Sequence, residues 1–140
     1  TLIAVVGQRL VRQLCPGAGE AYEVSDSIKI LLDKQFADLP AEHKNKIPEF
    51  KTLYRAIPTP DCPNGTRGRT GVFEIMRMTP ALEQIILKEP IEESVYRVAR
   101  SEGVLTLRED AIIKALNGSI PFEEVNTLGG SFAADEEESS

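Results

Sequence analysis

Few residues in this 140-residue chain could do chemistry, and they gather at two places. Cys15 and Cys62 are the only cysteines, His43 is the only histidine, and Asp61 stands directly before Cys62. Thiolate, imidazole and carboxylate are zinc ligands, but a structural zinc site needs four of them in a tetrahedron. The second place is the loop that follows Cys62. Gly65, Gly68 and Gly71 alternate with Arg67 and Arg69. Glycines that expose backbone N–H groups, with guanidinium forks beside them, are the components of an anion cradle. A P-loop, however, follows a strand, opens a helix and carries a lysine. Here the glycines open the apolar run GVFEIM and no lysine is present. The loop therefore reads as a glycine turn whose arginines are solvated or paired to carboxylates.

The elements that must position these residues have local signals. LIAVV at residues 2–6 is a continuous apolar run, as in a strand buried on both faces. It leads through Gly7, Gln8 and Arg9 into LVRQLC. Pro16-Gly17-Ala18-Gly19 is a break. Apolar residues at 28, 31, 32, 36 and 39 have helical spacing. Residues 40–48 are polar and irregular, with a short helical turn as the alternative, and contain His43. FKTLYRAI at 50–57 and TGVFEIM at 70–76 read as two short strands flanking the glycine loop, an antiparallel pair. Thr79-Pro80 is an N-cap followed by proline at the first helical position, with Leu82, Ile85 and Ile86 on one face. The next helix opens at Pro90, turns Ile91, Val95 and Val98 inward and stops at Gly103. Thr106 and Glu109 form a capping box before Ile112, Ile113 and Leu116, which accounts for Glu109 without a catalytic role. A last short helix is expected at 121–128. The fold class expected is α+β and mainly helical, with a C-terminal helical bundle, a short antiparallel strand pair and an N-terminal strand.

Bulk composition narrows the function. The chain carries 22 acidic and 16 basic residues, a net charge of −6. Asp135, Glu136, Glu137 and Glu138 account for four of the acids, in an end rich in Gly, Ala and Ser, so residues 129–140 are expected to form a disordered acidic tail. The remainder is near neutral and offers no basic footprint for nucleic acid. No apolar run reaches the ~18 residues of a membrane span, so no direct membrane insertion is expected. Two cysteines far apart are not a secreted disulfide framework, and a cytoplasmic location is the default. The chain begins at Thr1, inside the first strand and without Met, and so reads as cut from something longer.

Four segments in one order, VVGQRLVRQLCP, LYRA, GRTGVFEIM and TLREDAIIKALNG, resemble the C-terminal part of the ATPases that drive type II secretion and type IV pilus assembly. The likeness covers residues 1 to about 128. It implies that residues 1–14 are the last strand and helix of a RecA-like ATPase core, left over in this chain. Residues 15–69 would be a zinc-knuckle subdomain and 70–128 a small C-terminal helical domain. It implies ATP and Mg in the parent protein, a homohexameric ring, and a membrane platform protein as partner, to which the parent is peripheral. Gln8 and Arg9, at the carboxyl end of the strand, would lie near the parent's nucleotide, although Arg9 as a structural ion-pair partner is the favoured reading. Arg67 and Arg69 are candidates for a subunit interface.

Two departures shape what is expected. The 140 residues contain no GxxxxGK[ST] and no acidic Walker B segment, so the piece should not hydrolyse ATP alone. The family's two CxxC pairs are reduced to Cys15-Pro16-Gly17-Ala18 and Cys62, a degenerate knuckle, and which member of its pair Cys62 represents is ambiguous. Zinc held with His43 and Asp61, a disulfide, and two reduced buried thiols are the alternatives. The last is the expectation, with the helix at 27–39 as a replacement core. The function expected is a structural, inter-subunit part of the motor. The alternative is a free-standing interaction or adaptor module derived from the same domain.

Overall fold

The computed structural model describes residues 4–128, and the acidic tail falls outside them. Four strands, five α-helices and a 3-10 helix follow in the order β1 Ala4–Leu14, β2 Gly19–Glu23, α1 Asp26–Gln35, α2 Ala41–Lys44, β3 Thr52–Ala56, β4 Thr66–Arg77, α3 Pro80–Lys88, α4 Glu92–Ser101, α5 Leu107–Leu116 and the 3-10 helix Phe122–Thr127. The class is α+β with two small antiparallel sheets.

Strand pairing differs from the sequence expectation. β3 does not pair with β4. β1 pairs with β4 in a long two-stranded ribbon, from Ala4 opposite Arg77 to Leu14 opposite Thr66, with a register shift between Arg12 and Leu14. β2 pairs with β3, from Gly19 opposite Ala56 to Glu23 opposite Thr52. The LVRQL segment is not a helix, because it continues β1 without a break. Ten residue positions of cross-strand pairing with β4 set its conformation. Nor are Val5 and Val6 buried on both faces: they are 49% and 59% exposed. Opposed residues of an antiparallel pair share a face. Val6 opposite Ile75, Gln8 opposite Phe73 and Leu10 opposite Gly71 therefore make one outer face, and Val6, Leu10, Phe73 and Ile75 lie exposed on it.

The main core lies on the other side of the ribbon. Val11 and Val72 meet Leu32, Phe36 and Leu39 from α1 and its following turn, Leu53 from β3, Ala111, Ile112 and Ala115 from α5, and Ile120, Val125 and Leu128 beyond it. Phe36 stacks on Phe50 with ring centroids 6.0 Å apart. This cluster joins β1, α1, β3, β4, α5 and the 3-10 helix, but takes no residue from α3 or α4. A second cluster joins Met76, Leu82 and Ala99, and packs α3 and α4 against the end of β4.

Helix ends form where the sequence marks them. Thr79 accepts from the Leu82 N–H ahead of Pro80. Thr106 and Glu109 make both halves of a capping box. Gly103 sits at φ 89° just past α4, a left-handed position that favours glycine. Three apolar assignments do not hold. Leu31 is 63% exposed, so α1 turns only part of its expected apolar set to the core. Ile86 is 37% and Ile91 55% exposed, because Ile86 lies in the last turn of α3 and Ile91 is the N-cap of α4, at a corner where no other element covers them. The last helix, expected at 121–128, is of the 3-10 kind.

Candidate functional site

The knuckle is built from two four-residue turns. Cys15-Pro16-Gly17-Ala18 is closed by the Ala18 N–H donating to the Cys15 carbonyl at 3.0 Å, and Gly17 has φ 78°. Cys62-Pro63-Asn64-Gly65 is closed the same way, Gly65 N–H to Cys62 carbonyl at 3.0 Å, and Gly65 has φ 73°. The turns are tied together. The Cys15 N–H donates to the Gly65 carbonyl at 3.1 Å, and the Ile57 N–H to the Ala18 carbonyl at 2.9 Å. The matching bond pattern makes Cys62 the first member of its turn, with Gly65 three residues on, as Ala18 is to Cys15.

Cys15 and Cys62 form a disulfide with Cα atoms 6.6 Å apart, across a separation of 47 residues. The expectation of two reduced thiols is corrected, although both sulfurs are buried as foreseen. The cause is tertiary: the β1–β4 ladder ends beside Leu14 and Thr66, which sets the two turns face to face.

The donor set does not fit zinc. Both sulfurs are consumed in the disulfide, and Ala18 and Gly65 occupy the positions that second thiolates would need. His43 is elsewhere: its imidazole lies over Gly103 past α4, and its Nε2 faces Glu42 at 3.6 Å. The Asp61 backbone carbonyl accepts from Arg67 Nη2 at 2.7 Å. Among the described residues no three His, Cys, Asp or Glu side chains are grouped to hold a metal.

The glycine loop feeds β4, not a helix. Arg69 is exposed and stands opposite Arg12 across the ribbon. Gln8 and Arg9 are exposed in the middle of β1, and among the described residues Arg9 makes no ion pair. Gln8, Arg9 and the glycine-loop arginines are thus spread along one ribbon rather than gathered in a pocket.

A buried polar hub is the feature that sequence reasoning missed. Arg100 of α4 is 2% exposed and Glu109 of α5 is 0% exposed. Arg100 Nη1 and Nη2 each donate to a Glu109 carboxylate oxygen at 2.6 Å, a two-pronged pair. Glu109 also accepts from the Thr106 N–H at 2.9 Å and from Gln35 Nε2 at 3.0 Å. Arg100 Nε donates to Asp38 Oδ1 at 2.8 Å, while its terminal nitrogens reach the carbonyls of Val104 and Gln35. The Tyr96 hydroxyl donates to Asp38 Oδ2 at 2.7 Å. The capping box was legible; the arginine nine residues earlier was not, because Arg100 lies in the last turn of α4, where a basic residue already satisfies the helix dipole.

The electrostatics follow from this packing. For Asp38, burial raises the carboxyl pKa, but hydrogen bonds from Tyr96 and Arg100 and the Arg100 charge outweigh it, leaving a value below 3.8. Burial and then the Asp38 hydrogen bond push the Tyr96 hydroxyl up. For Arg100, burial opposes the charged form, but Glu109 and Asp38 more than restore it. Asp38, Tyr96 and Arg100 are thereby each held in one charge state across neutral pH. The hub is suited to locking α1, α4 and α5 together, not to moving protons. A second tie runs from α5 to the ribbon, where Asp110 accepts from the Phe73 N–H at 2.8 Å and Glu74 from the Leu107 N–H at 3.1 Å.

The geometry defines an α+β module: a strand ribbon, a disulfide-closed knuckle and helices locked by a buried ion pair. The family model for type II/IV secretion system proteins matches residues 1–127, and the chain belongs to that family. It is 36% identical over 124 residues to the type IV pilus assembly ATPase PilB of Pseudomonas aeruginosa, covering 89% of this chain and 20% of that protein. It is 35% identical over 126 residues to the type II secretion system ATPase E of Vibrio cholerae, with 89% and 23% covered. The protein transport protein HofB homolog of Escherichia coli is 31% identical over 133 residues, with 91% and 25% covered. The chain thus spans about a fifth to a quarter of the length of these relatives. Among the described residues no helix is long and apolar enough to cross a membrane.

Proposed function

We propose that this chain is the C-terminal part of a hexameric ATPase motor that powers type II protein secretion or type IV pilus assembly. Its role there is structural, in contacts between subunits and in passing motion from the motor core to a membrane platform protein. ATP and Mg belong to the rest of the motor, which works on the cytoplasmic side of the inner membrane. The observation that carries the reading is the match over residues 1–127 to ATPases four to five times longer, in a chain without a Walker A sequence. A lysine and a backbone cradle for phosphate are what ATP hydrolysis requires. The exposed apolar outer face of the β1–β4 ribbon supports it, since such a face suits packing against further structure, here the remainder of a RecA-like core. Gln8 on that face would then lie toward the core and its nucleotide, whereas Arg9, opposite Val72, stands on the other face.

The test compares the chain with its parent. The isolated chain should show no ATP turnover, and the parent gene product should hydrolyse ATP and elute as a hexamer. Charge reversal at Arg67 or Arg69 in the parent should weaken assembly and turnover if these residues sit between subunits. A start codon immediately before Thr1 in the gene, with no ATPase core upstream, would refute the motor and favour an adaptor module.

A further inference from the structure

We propose that the knuckle is a dithiol–disulfide switch that has taken the place of a metal site and controls how firmly residues 16–61 are held to the β1–β4 ribbon. Three observations carry this. First, the cystine links Cys15, directly after β1, to Cys62, four residues before β4, and so closes the excursion containing β2, α1, α2 and β3 at its neck.

Second, the route back to four thiolates is closed. A Cβ on Gly65 would meet the Ile57 nitrogen at 2.8 Å and Ala56 Cβ at 3.0 Å, so a side chain there collides with the end of β3. Two thiolates do not make a structural zinc site, but two facing thiols have a disulfide as their oxidised product.

Third, the sulfurs are insulated from the main core. Cys15, Ala18 and Cys62 form a separate three-residue cluster, roofed by Pro16, Gly17, Pro63 and Asn64, all exposed. Opening one turn exposes the cystine without disturbing the core. The backbone bonds from Cys15 to Gly65 and from Ile57 to Ala18 remain after reduction, so the fold persists while its neck loosens. A low-molecular-weight thiol is the reductant. Its thiolate attacks one sulfur to give a mixed disulfide, and a second thiol displaces the cysteine; the chain gains two thiols and the reductant leaves as its disulfide. In a reducing compartment the dithiol is the resting form; a low-molecular-weight disulfide, running the same exchange in reverse and leaving as two thiols, reforms the cystine and tightens the joint.

The full chain, first oxidised with glutathione disulfide and then freed of it, tests this by alkylation and mass measurement. No cysteine should be alkylated before reduction and both afterwards, with the helical circular dichroism retained. Trypsin should cut within residues 29–55 about tenfold faster in the reduced form, because releasing a closed loop raises the population of its open states. Reoxidation should restore protection, and the Cys15→Ser variant should be cut at the fast rate in either condition. Alkylation of both cysteines without prior reduction, zinc near one equivalent per chain, unchanged cleavage on reduction, or loss of the helical signal on reduction would each overturn the proposal.

Discussion

Replacing Glu109 by glutamine tests whether the buried hub holds the helical part together. Glu109 is fully buried and accepts four hydrogen bonds, two of them from Arg100. Glutamine keeps the size but removes the charge and turns one acceptor into a donor. It then points N–H groups at Arg100, Gln35 or Thr106, whichever way the amide lies. Arg100 keeps its charge in a site where its side chain is 3% exposed. Removing one partner of a buried pair costs about 3–5 kcal/mol. Asp38 still faces Arg100, but it is 51% exposed and offsets little, so the expected loss is about 3 kcal/mol. That is a large part of the ~5–15 kcal/mol that holds an ordinary domain together. The assay is urea unfolding followed by circular dichroism, with the slope unchanged. Pairing the change with Arg100→Met removes the stranded charge but leaves the carbonyls of Gln35 and Val104 without their donor. The double variant should therefore recover part of the loss, with a coupling of at least ~1 kcal/mol between the sites. A single-variant loss below ~1 kcal/mol, or strictly additive losses, would refute the hub as a stabilising lock.

Two further outcomes are expected. Gly65→Ala should cost clearly more than Gly17→Ala, although both have positive φ. Each bears a conformational cost of about 1–2 kcal/mol, but only Gly65 has backbone 2.8 Å from the added Cβ, while Gly17 has nothing within 4 Å. Equal losses by chemical denaturation would contradict this. Asp38→Asn should flatten the acid limb of a stability–pH profile. The folded Asp38 has a lowered pKa, so its contribution is present above the ordinary value of 3.8 and is lost as pH falls through the folded value. A profile unchanged below about pH 4 would refute its pairing with Tyr96 and Arg100.

Local signals survived folding because their causes lie within a few residues. Thr79-Pro80 and Thr106-to-Glu109 form caps because a side-chain oxygen meets an N–H three residues on, whatever surrounds it. The turn at Pro16-Gly17 and the stop at Gly103 depend on glycine's freedom at positive φ. Even the ordered motifs that mark the family were readable, because they preserve residue types rather than contacts.

What only the tertiary structure decided is who meets whom. LVRQL has no fixed local preference strong enough to resist β4, so it became strand. β3 paired with β2, across the helical excursion, rather than with the next strand in the chain. Arg100 looked like an ordinary basic residue at a helix end until α1 and α5 closed over it. Cys15 and Cys62, 47 residues apart, became partners because the ribbon's register placed their turns together. The sequence by itself determined most of the helices, their caps and the family, since those rest on neighbouring residues. Strand partners, the buried ion pair and the state of the two cysteines rest on contacts between distant residues, which exist only once the chain has folded.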